Sequence, residues 1–509
     1  MNTPTSKAGR LRRAGLAIAA AVAIVLPLGA CAAETQAPEQ TKLTLVAFPN
    51  FPTVDYSDYV AAFHKLQMHA VYDYLMHQDN ETSEPTPWIA TDWAYDESRT
   101  VLSLTIREGV TFTDGTPLDA EAVVANLEHR VAAKDAYFNW SNVEGITATD
   151  DATVEIRLHE PDYGFLVAVG QTPLAALASL ADLSTMATAP ITSGPYLIDE
   201  ANSIPDSEWA YVRNPDYWNQ EAYPFDELLI KRLPDVTARV NAVLSGQVDF
   251  APIDLQSKET LEADGFTVKT VNSTAFALFA ADRAGEEIPA LADVRVRQAM
   301  SYAIDRETIA ETIELGYGNP TDQIFLEDSP YYLEGRNDYS YDPDRARQLM
   351  AEAGYADGLD IVSPSFTRPA YWPIIEQYLA DIGVRIRFEQ NEPNAMFGAM
   401  AAGELPIHLF GDLYFNWVRN LIAPEGIWNG TRYSTPEIEA LLDKVSAADG
   451  DELAAAQQEL AEYVYEEAWF VVLAHPVDVF AMSSELDAGI PQGFGLFGPS
   501  LWDFQRAGD

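Results

Sequence analysis

Positive charge is scarce in this chain. Lys and Arg number 31 against 78 Asp and Glu, a formal net charge of −47 over 509 residues. That imbalance excludes nucleic acid and anionic membrane as electrostatic partners, and it reads as a solvated, self-repelling surface. Cysteine is nearly absent: Cys31 stands alone. No GxSxG, HExxH or P-loop pattern occurs, so three common kinds of catalytic or nucleotide site have no motif to rest on. Gly493 to Gly498 spells GxGxxG, but too few residues follow it for the helix and second strand of a dinucleotide fold. It is a glycine-rich turn. His64, His69 and His77 are spaced by five and eight, which does not put them on one helical face, so no metal site and no cofactor are expected. The mature part has no internal repeat and no low-complexity segment.

The first thirty residues have a composition of their own. Lys7, Arg10, Arg12 and Arg13 precede an apolar run from Ala14 to Ala30 that contains no acid. The run is short for a membrane span and has the order of a secretory signal: basic, apolar, then small residues. It ends in Leu28-Gly29-Ala30-Cys31, which resembles the bacterial lipobox. That resemblance implies cleavage before Cys31 and a lipid on its thiol. The protein would then be anchored to the outer face of the membrane without spanning it. Ala32 to Gln40 is small and polar, a tether. Arg12-Arg13 leaves the export route, general or twin-arginine, open.

The most informative stretch runs from Trp88 to Arg130. Leu102, Leu104 and Ile106 alternate with polar residues, the pattern of a strand with one buried face, and Val110 and Phe112 resume the alternation after Gly109. Thr113-Asp114-Gly115-Thr116-Pro117 is a turn, and Asp119 caps a helix whose apolar face starts at Ala122 and Val123. Further along, strands are expected at Lys42–Phe48, Thr153–Leu158, Leu228–Leu233, Val248–Phe250, Phe276–Phe279, Val384–Phe388 and Phe470–Leu473. Helices are expected at Asp58–Met76, Leu166–Ala187, Val236–Leu244, Asp342–Ala353, Tyr371–Ile382, Pro436–Val445 and Glu452–Ala468. The alternation of the two specifies an α/β protein. The length calls for more than one domain.

The order of residues adds a resemblance. Trp93, then Leu104, Ile106-Arg107, Gly109-Val110, Phe112, Asp114-Gly115, Pro117-Leu118, Ala120 and Val123 resemble the signature of the family 5 extracellular solute-binding proteins, receptors of peptide and nickel ABC importers. Ala122 departs from it, where Asp is usual. Ser193-Gly194-Pro195-Tyr196, Asn214 to Trp218, and Val294 to Arg306 resemble further landmarks of that family. The resemblance implies a two-lobed, type II periplasmic-binding-protein-like fold with an extra domain on lobe one. Lobe one would comprise residues 41–60, 189–273 and 477–509. The extra domain would be 61–188 and lobe two 274–476. A monomer is expected, with a small solute and an importer permease as partners.

Site residues follow only by that resemblance. Asp412 stands near the position where peptide-binding relatives hold the ligand's α-ammonium, although Leu409 replaces the usual Trp and Phe415-Asn416 the usual Asp-Pro. Arg368-Pro369-Ala370-Tyr371 is similar to a segment whose Arg grips the ligand carboxylate, with Ala370 interrupting it. A guanidinium suits that role because its fork pairs bidentately. Phe48, Phe51, Tyr371, Trp372, Phe410, Tyr414, Trp417 and Trp428 are aromatic candidates for the cleft wall, where flat faces clasp side chains, backbone or sugar rings. The expected function is capture of a peptide-like solute for an ABC importer, not catalysis. An oligosaccharide or other non-peptide solute is the alternative, a nickel complex a lesser one, and a secreted hydrolase with paired carboxylates a remote one.

Overall fold

The computed structural model describes residues 42–47, 54–55, 65–79, 85–133, 140–162, 164–272, 275–411, 417–448, 450–490 and 498–508. Cys31, Phe48, Phe51, His64, Asp412 and Tyr414, singled out above, lie outside them. So do the signal segment, the tether and the glycine-rich turn up to Phe497. Among the described residues no helix is long and apolar enough to cross a membrane.

The first strand, Lys42–Ala47, is buried from Leu43 onward. A strand buried on both faces needs a continuous apolar run, and Leu-Thr-Leu-Val-Ala supplies one. It lies inside a seven-stranded sheet, paired in parallel with Glu227–Arg232 on one side and Phe250–Ile253 on the other. Thr267–Asn272, Val477–Met482, Glu208–Arg213 and Tyr196–Ile198 complete the sheet by antiparallel pairing. Helix Val236–Leu244 connects the two parallel neighbours and starts where the Asp235 carboxylate accepts from Ala238 N at 2.8 Å.

A separate four-stranded antiparallel sheet has the order Ala90–Tyr95, Val101–Ile106, Thr153–Leu158, Val143–Asp150. Leu102, Leu104 and Ile106 are buried on one face as the alternation requires. Gly109 and Gly115 have φ of 82° and 84°, which explains glycine at both turns. The Asp119 carboxylate accepts from Ala122 N at 3.0 Å at the start of helix Ala120–Ala133. Val110 and Phe112 do not resume the strand. They are buried in a tight hairpin-like loop in which Phe112 N donates to Thr116 O and Leu118 N to Val110 O.

The third region is built on Phe276–Ala280, flanked antiparallel by Ile407–Phe410 and Phe470–Ala474. Side chains alternate across a strand, and here both faces are covered. Phe276, Leu278 and Ala280 enter a core shared with helices Val294–Tyr302, Pro343–Glu352 and Trp372–Ala380. Ala277 and Phe279 enter a second core with helices Pro436–Ala447 and Gly450–Glu466. The main chain passes from the seven-stranded sheet to this region between Asn272 and Phe276, and returns between Ala474 and Val477.

Two expected helices and one family landmark come out differently. Leu166–Ala187 is two short helices, Phe165–Gly170 and Leu177–Ala181, because Pro173 interrupts the run. The first expected helix is described from Lys65 and ends at Val71, and Met76 belongs to a strand, Met76–Gln78. The landmark Val294 to Arg306 stops being helical at Tyr302, and Asp305 caps a second helix from Arg306.

Candidate functional site

Arg368 lies where the two sheet systems meet. It has a left-handed φ of 45° just before Pro369, a conformation a bulky residue adopts only when its surroundings hold it there. Its Nη2 donates to Asp478 Oδ1 at 3.0 Å, and Asp478 belongs to the strand Val477–Met482 of the seven-stranded sheet. Its Nη1 is 3.9 Å from Glu314. Burial opposes the guanidinium charge, but Asp478, Tyr371 and Glu314 more than offset that and raise its pKa.

Glu314 is itself buried and organises the neighbourhood. Tyr371 OH donates to its Oε1 and Val477 N to its Oε2, the latter at 3.0 Å. Tyr371 is 1% exposed and stands edge-on to Phe276 with centroids 5.1 Å apart. Burial, then Glu314, pushes its hydroxyl pKa well up. One ion-paired cluster thus touches both chain passages: Phe276 after the first, Val477 and Asp478 after the second. His475 is fastened beside it, with backbone bonds to Asn319 and its Nε2 2.7 Å from Gln323 O.

Among the described residues, the aromatic candidates Phe410, Trp417 and Trp428 are buried in the core of the second region. Phe410, Phe397 and Trp428 pack mutually with centroids 5.2 to 6.3 Å apart. Trp417 begins a π-helical turn, Trp417–Ile422, fully buried against Phe470, and its indole N–H has no partner. Trp372 is half-buried and donates its indole N–H to Thr367 O at 3.2 Å. Among the described residues no group of three or more His, Cys, Asp or Glu is placed to hold a metal ion.

His69 and His77 are nevertheless brought together, by a residue far away in sequence. Both stack on Trp502, at 4.2 and 3.5 Å between centroids, and Trp88 covers the other face of His77 at 3.8 Å. Burial lowers the His77 pKa to about 3. Beside this ladder is Asp73, 2% exposed, which accepts from Trp88 Nε1 at 2.9 Å, Tyr217 OH at 2.8 Å and Trp218 Nε1 at 3.2 Å. Burial raises its pKa to about 6 despite these donors.

Glu314, Asp478 and Asp73 were not expected from the sequence. Each had a weak signal, a lone acid between apolar neighbours: Ile313 and Leu315, Val477 and Val479, Tyr72 and Tyr74. A desolvated acid needs partners, and most of those partners lie more than fifty residues away, Trp88 being the exception.

Residues 84–436 match the model of bacterial extracellular solute-binding proteins, family 5. This chain belongs to that family. Heme-binding protein A of Haemophilus influenzae is 25% identical over 84% of this chain and 85% of its own. Glutathione-binding protein GsiB of Salmonella typhimurium is 26% identical over 66% and 67%. Among solved structures, the periplasmic binding protein DppA of Helicobacter pylori, in complex with the peptide STSA, superposes with a TM-score of 0.76 at 22% identity, covering 91% of this chain and 98% of that one. The fold is therefore the two-lobed one of periplasmic binding proteins. The family consists of extracytoplasmic receptors that capture small solutes for ABC importers, and this family member is a binding protein, not an enzyme.

Proposed function

We propose that this family 5 receptor is held to the outer membrane face by a lipid on Cys31, captures a peptide-like solute between its lobes and presents it to an importer permease. Lobe one is assigned to residues 41–60, 189–273 and 477–509, the extra domain to 61–188, and lobe two to 274–476. The observation that carries the ligand class is Arg368. Its guanidinium comes from the second region yet meets Asp478 of the seven-stranded sheet, which puts a cation at the seam where a solute would be enclosed. Asp412 is the proposed partner of a ligand ammonium, and Phe48, Tyr371, Phe410, Tyr414 and Trp417 the proposed wall. Relatives that bind glutathione or the peptide STSA support this class.

One feature favours a second reading. Arg368 already has two carboxylates within 4 Å, Asp478 and Glu314, so a ligand without a free carboxylate would leave that pairing intact. A neutral oligosaccharide fits that case.

Titration calorimetry with glutathione, di- to pentapeptides, neutral oligosaccharides and heme separates the readings. Saturable binding of a peptide, lost when its carboxylate is amidated, supports the first. Binding of the oligosaccharide alone replaces it with the second.

A further inference from the structure

Two arginines join bodies of the fold that the main chain does not join directly. Arg99 belongs to the turn between strands Ala90–Tyr95 and Val101–Ile106 of the four-stranded sheet. The turn is tied by Asp96, whose Oδ1 accepts from Thr100 N and Val101 N, each at 3.0 Å, and whose Oδ2 accepts from Ser98 Oγ at 2.6 Å. Arg99 takes a left-handed φ of 57° in it. From there its Nη1 donates to Ala448 O at 3.0 Å. Ala448 is the residue at which helix Pro436–Ala447 ends, over in the second region. A helix terminus exposes unpaired carbonyls and the negative end of its dipole, so a guanidinium is the complementary group.

The second contact runs the other way. Arg419, on the π-helical turn of the second region, lies beside Asp162 of the extra domain. A Cβ on Gly164 would be 3.7 Å from Arg419 Nη1, 3.6 Å from its Cδ and 3.6 Å from Asp162 Oδ1. Burial raises the Asp162 pKa and the Arg419 charge counters it. The Arg419 side chain thus lies against the chain at Gly164. Tyr95 links the two contacts: both Asp162 and Arg99 act on its buried hydroxyl, which has no hydrogen-bond partner. Among the described residues, no strand or helix of the four-stranded body packs broadly against one of the second region. Both contacts are made by polar side chains, which can part and re-form without exposing an apolar face.

We propose that Arg99 and Arg419 form an electrostatic clasp between the extra domain and lobe two that holds the receptor shut. It rests on the two-lobed receptor reading and adds the residues that set the balance between shut and open. Closure retains the solute, so the clasp tunes the rate of release without touching the ligand.

The test uses the full chain carrying Cys31→Ser, with spin labels at Thr147→Cys and Asp443→Cys, both exposed. Inter-label distances are measured by pulsed electron resonance with no solute present. Expected is a short-distance population that falls about threefold or more in Arg99→Gln/Arg419→Gln, as the loss of the Arg99 bond to Ala448 O and of the Arg419 charge beside Asp162 implies. About 0.5 M salt should produce the same shift in the parent protein, while Arg157→Gln, an exposed arginine of the same sheet, should produce none. If the clasp variant fails to fold, the salt titration of the parent protein decides. A short-distance population unmoved by both the double substitution and salt overturns the clasp. Failure of the receptor reading would show differently, as a distribution that none of the solutes named above alters.

Discussion

Arg368 and Asp478 are 110 residues apart in sequence and 3.0 Å apart in space, one in the region built on Phe276–Ala280, the other in the seven-stranded sheet. The pair is one of the polar bonds, with that from Val477 N to Glu314, between these two regions. It also places the proposed ligand cation in the grip of an internal competitor.

That competition has a sign. If a ligand carboxylate uses Arg368, it must displace or share Asp478. Asp478→Asn removes the competing charge and should tighten binding of a free dipeptide by about fivefold to tenfold, at 1.4 kcal/mol per factor of ten. Arg368→Ala should abolish the gain and lower the urea midpoint, since it leaves Asp478 and Glu314 close together with no cation, a loss of about 1–3 kcal/mol. Equal dipeptide affinity in the parent and Asp478→Asn, measured by calorimetry, removes Arg368 from the list of ligand contacts.

Acid should destabilise the fold between pH 6.5 and 5. Burial lowers the pKa of His77 to about 3 and of His408 and His475 to about 4, and that of His69 well below its usual range. Below pH 6.5 the unfolded chain takes up protons that these folded imidazoles refuse. Their contribution is therefore complete above pH 6.5 and lost as pH falls toward the folded values, at about 1.4 kcal/mol per pH unit for each. Asp73 works in the opposite sense. Its folded pKa of about 6 means that the folded state holds a proton the unfolded chain has released. With His129, whose pKa burial also lowers, five imidazoles act in the first sense against two buried acids, Asp73 and Asp162, and the imidazoles outweigh them. Urea midpoints at pH 7.5, 6 and 5 should fall in that order, and His408→Leu should flatten the trend. Midpoints that rise on acidification would contradict this account.

Asp412→Ala should weaken binding of a peptide with a free amino terminus by about two to three orders of magnitude, because an ammonium left unpaired in a closed cleft costs roughly 3–5 kcal/mol. Acetylating the peptide's amine should weaken binding to the parent protein similarly, and the two losses should not add. Unchanged peptide affinity in Asp412→Ala would shift the balance to the oligosaccharide reading.

Cys31→Ser should release the protein from the membrane fraction or leave its signal segment uncut, since the lipid needs the thiol. Fractionation followed by immunoblotting reads both outcomes. A mature-sized Cys31→Ser protein that still sediments with membranes would sink the anchor.

The elements most legible in sequence were those governed by neighbours in the chain. Asp119 caps its helix as its spacing indicates, and Leu102, Leu104 and Ile106 share a buried face. The Leu166 to Ala187 run misled because composition favours helix while Pro173 forbids continuity. The site was less legible. Nothing near Glu314 announces Tyr371 and Val477, and nothing near His69 announces Trp502, because tertiary folding alone makes these neighbours. Conversely, the resemblance picked out Arg368 without its paired acids.

The Asp73 carboxylate bears on how many parts the receptor has. Trp88 leads into the four-stranded sheet, while Tyr217 and Trp218 follow a strand of the seven-stranded one, and all three are knotted on this single acid. At Gly194 the chain passes so close to Val71 that a Cβ there would be 2.2 Å from the Val71 carbonyl carbon, which leaves no clearance for sliding. A hinge needs slack, and this junction has none. On the lobe assignment proposed above, the extra domain and lobe one would turn as one lever arm, and the receptor would work in two pieces.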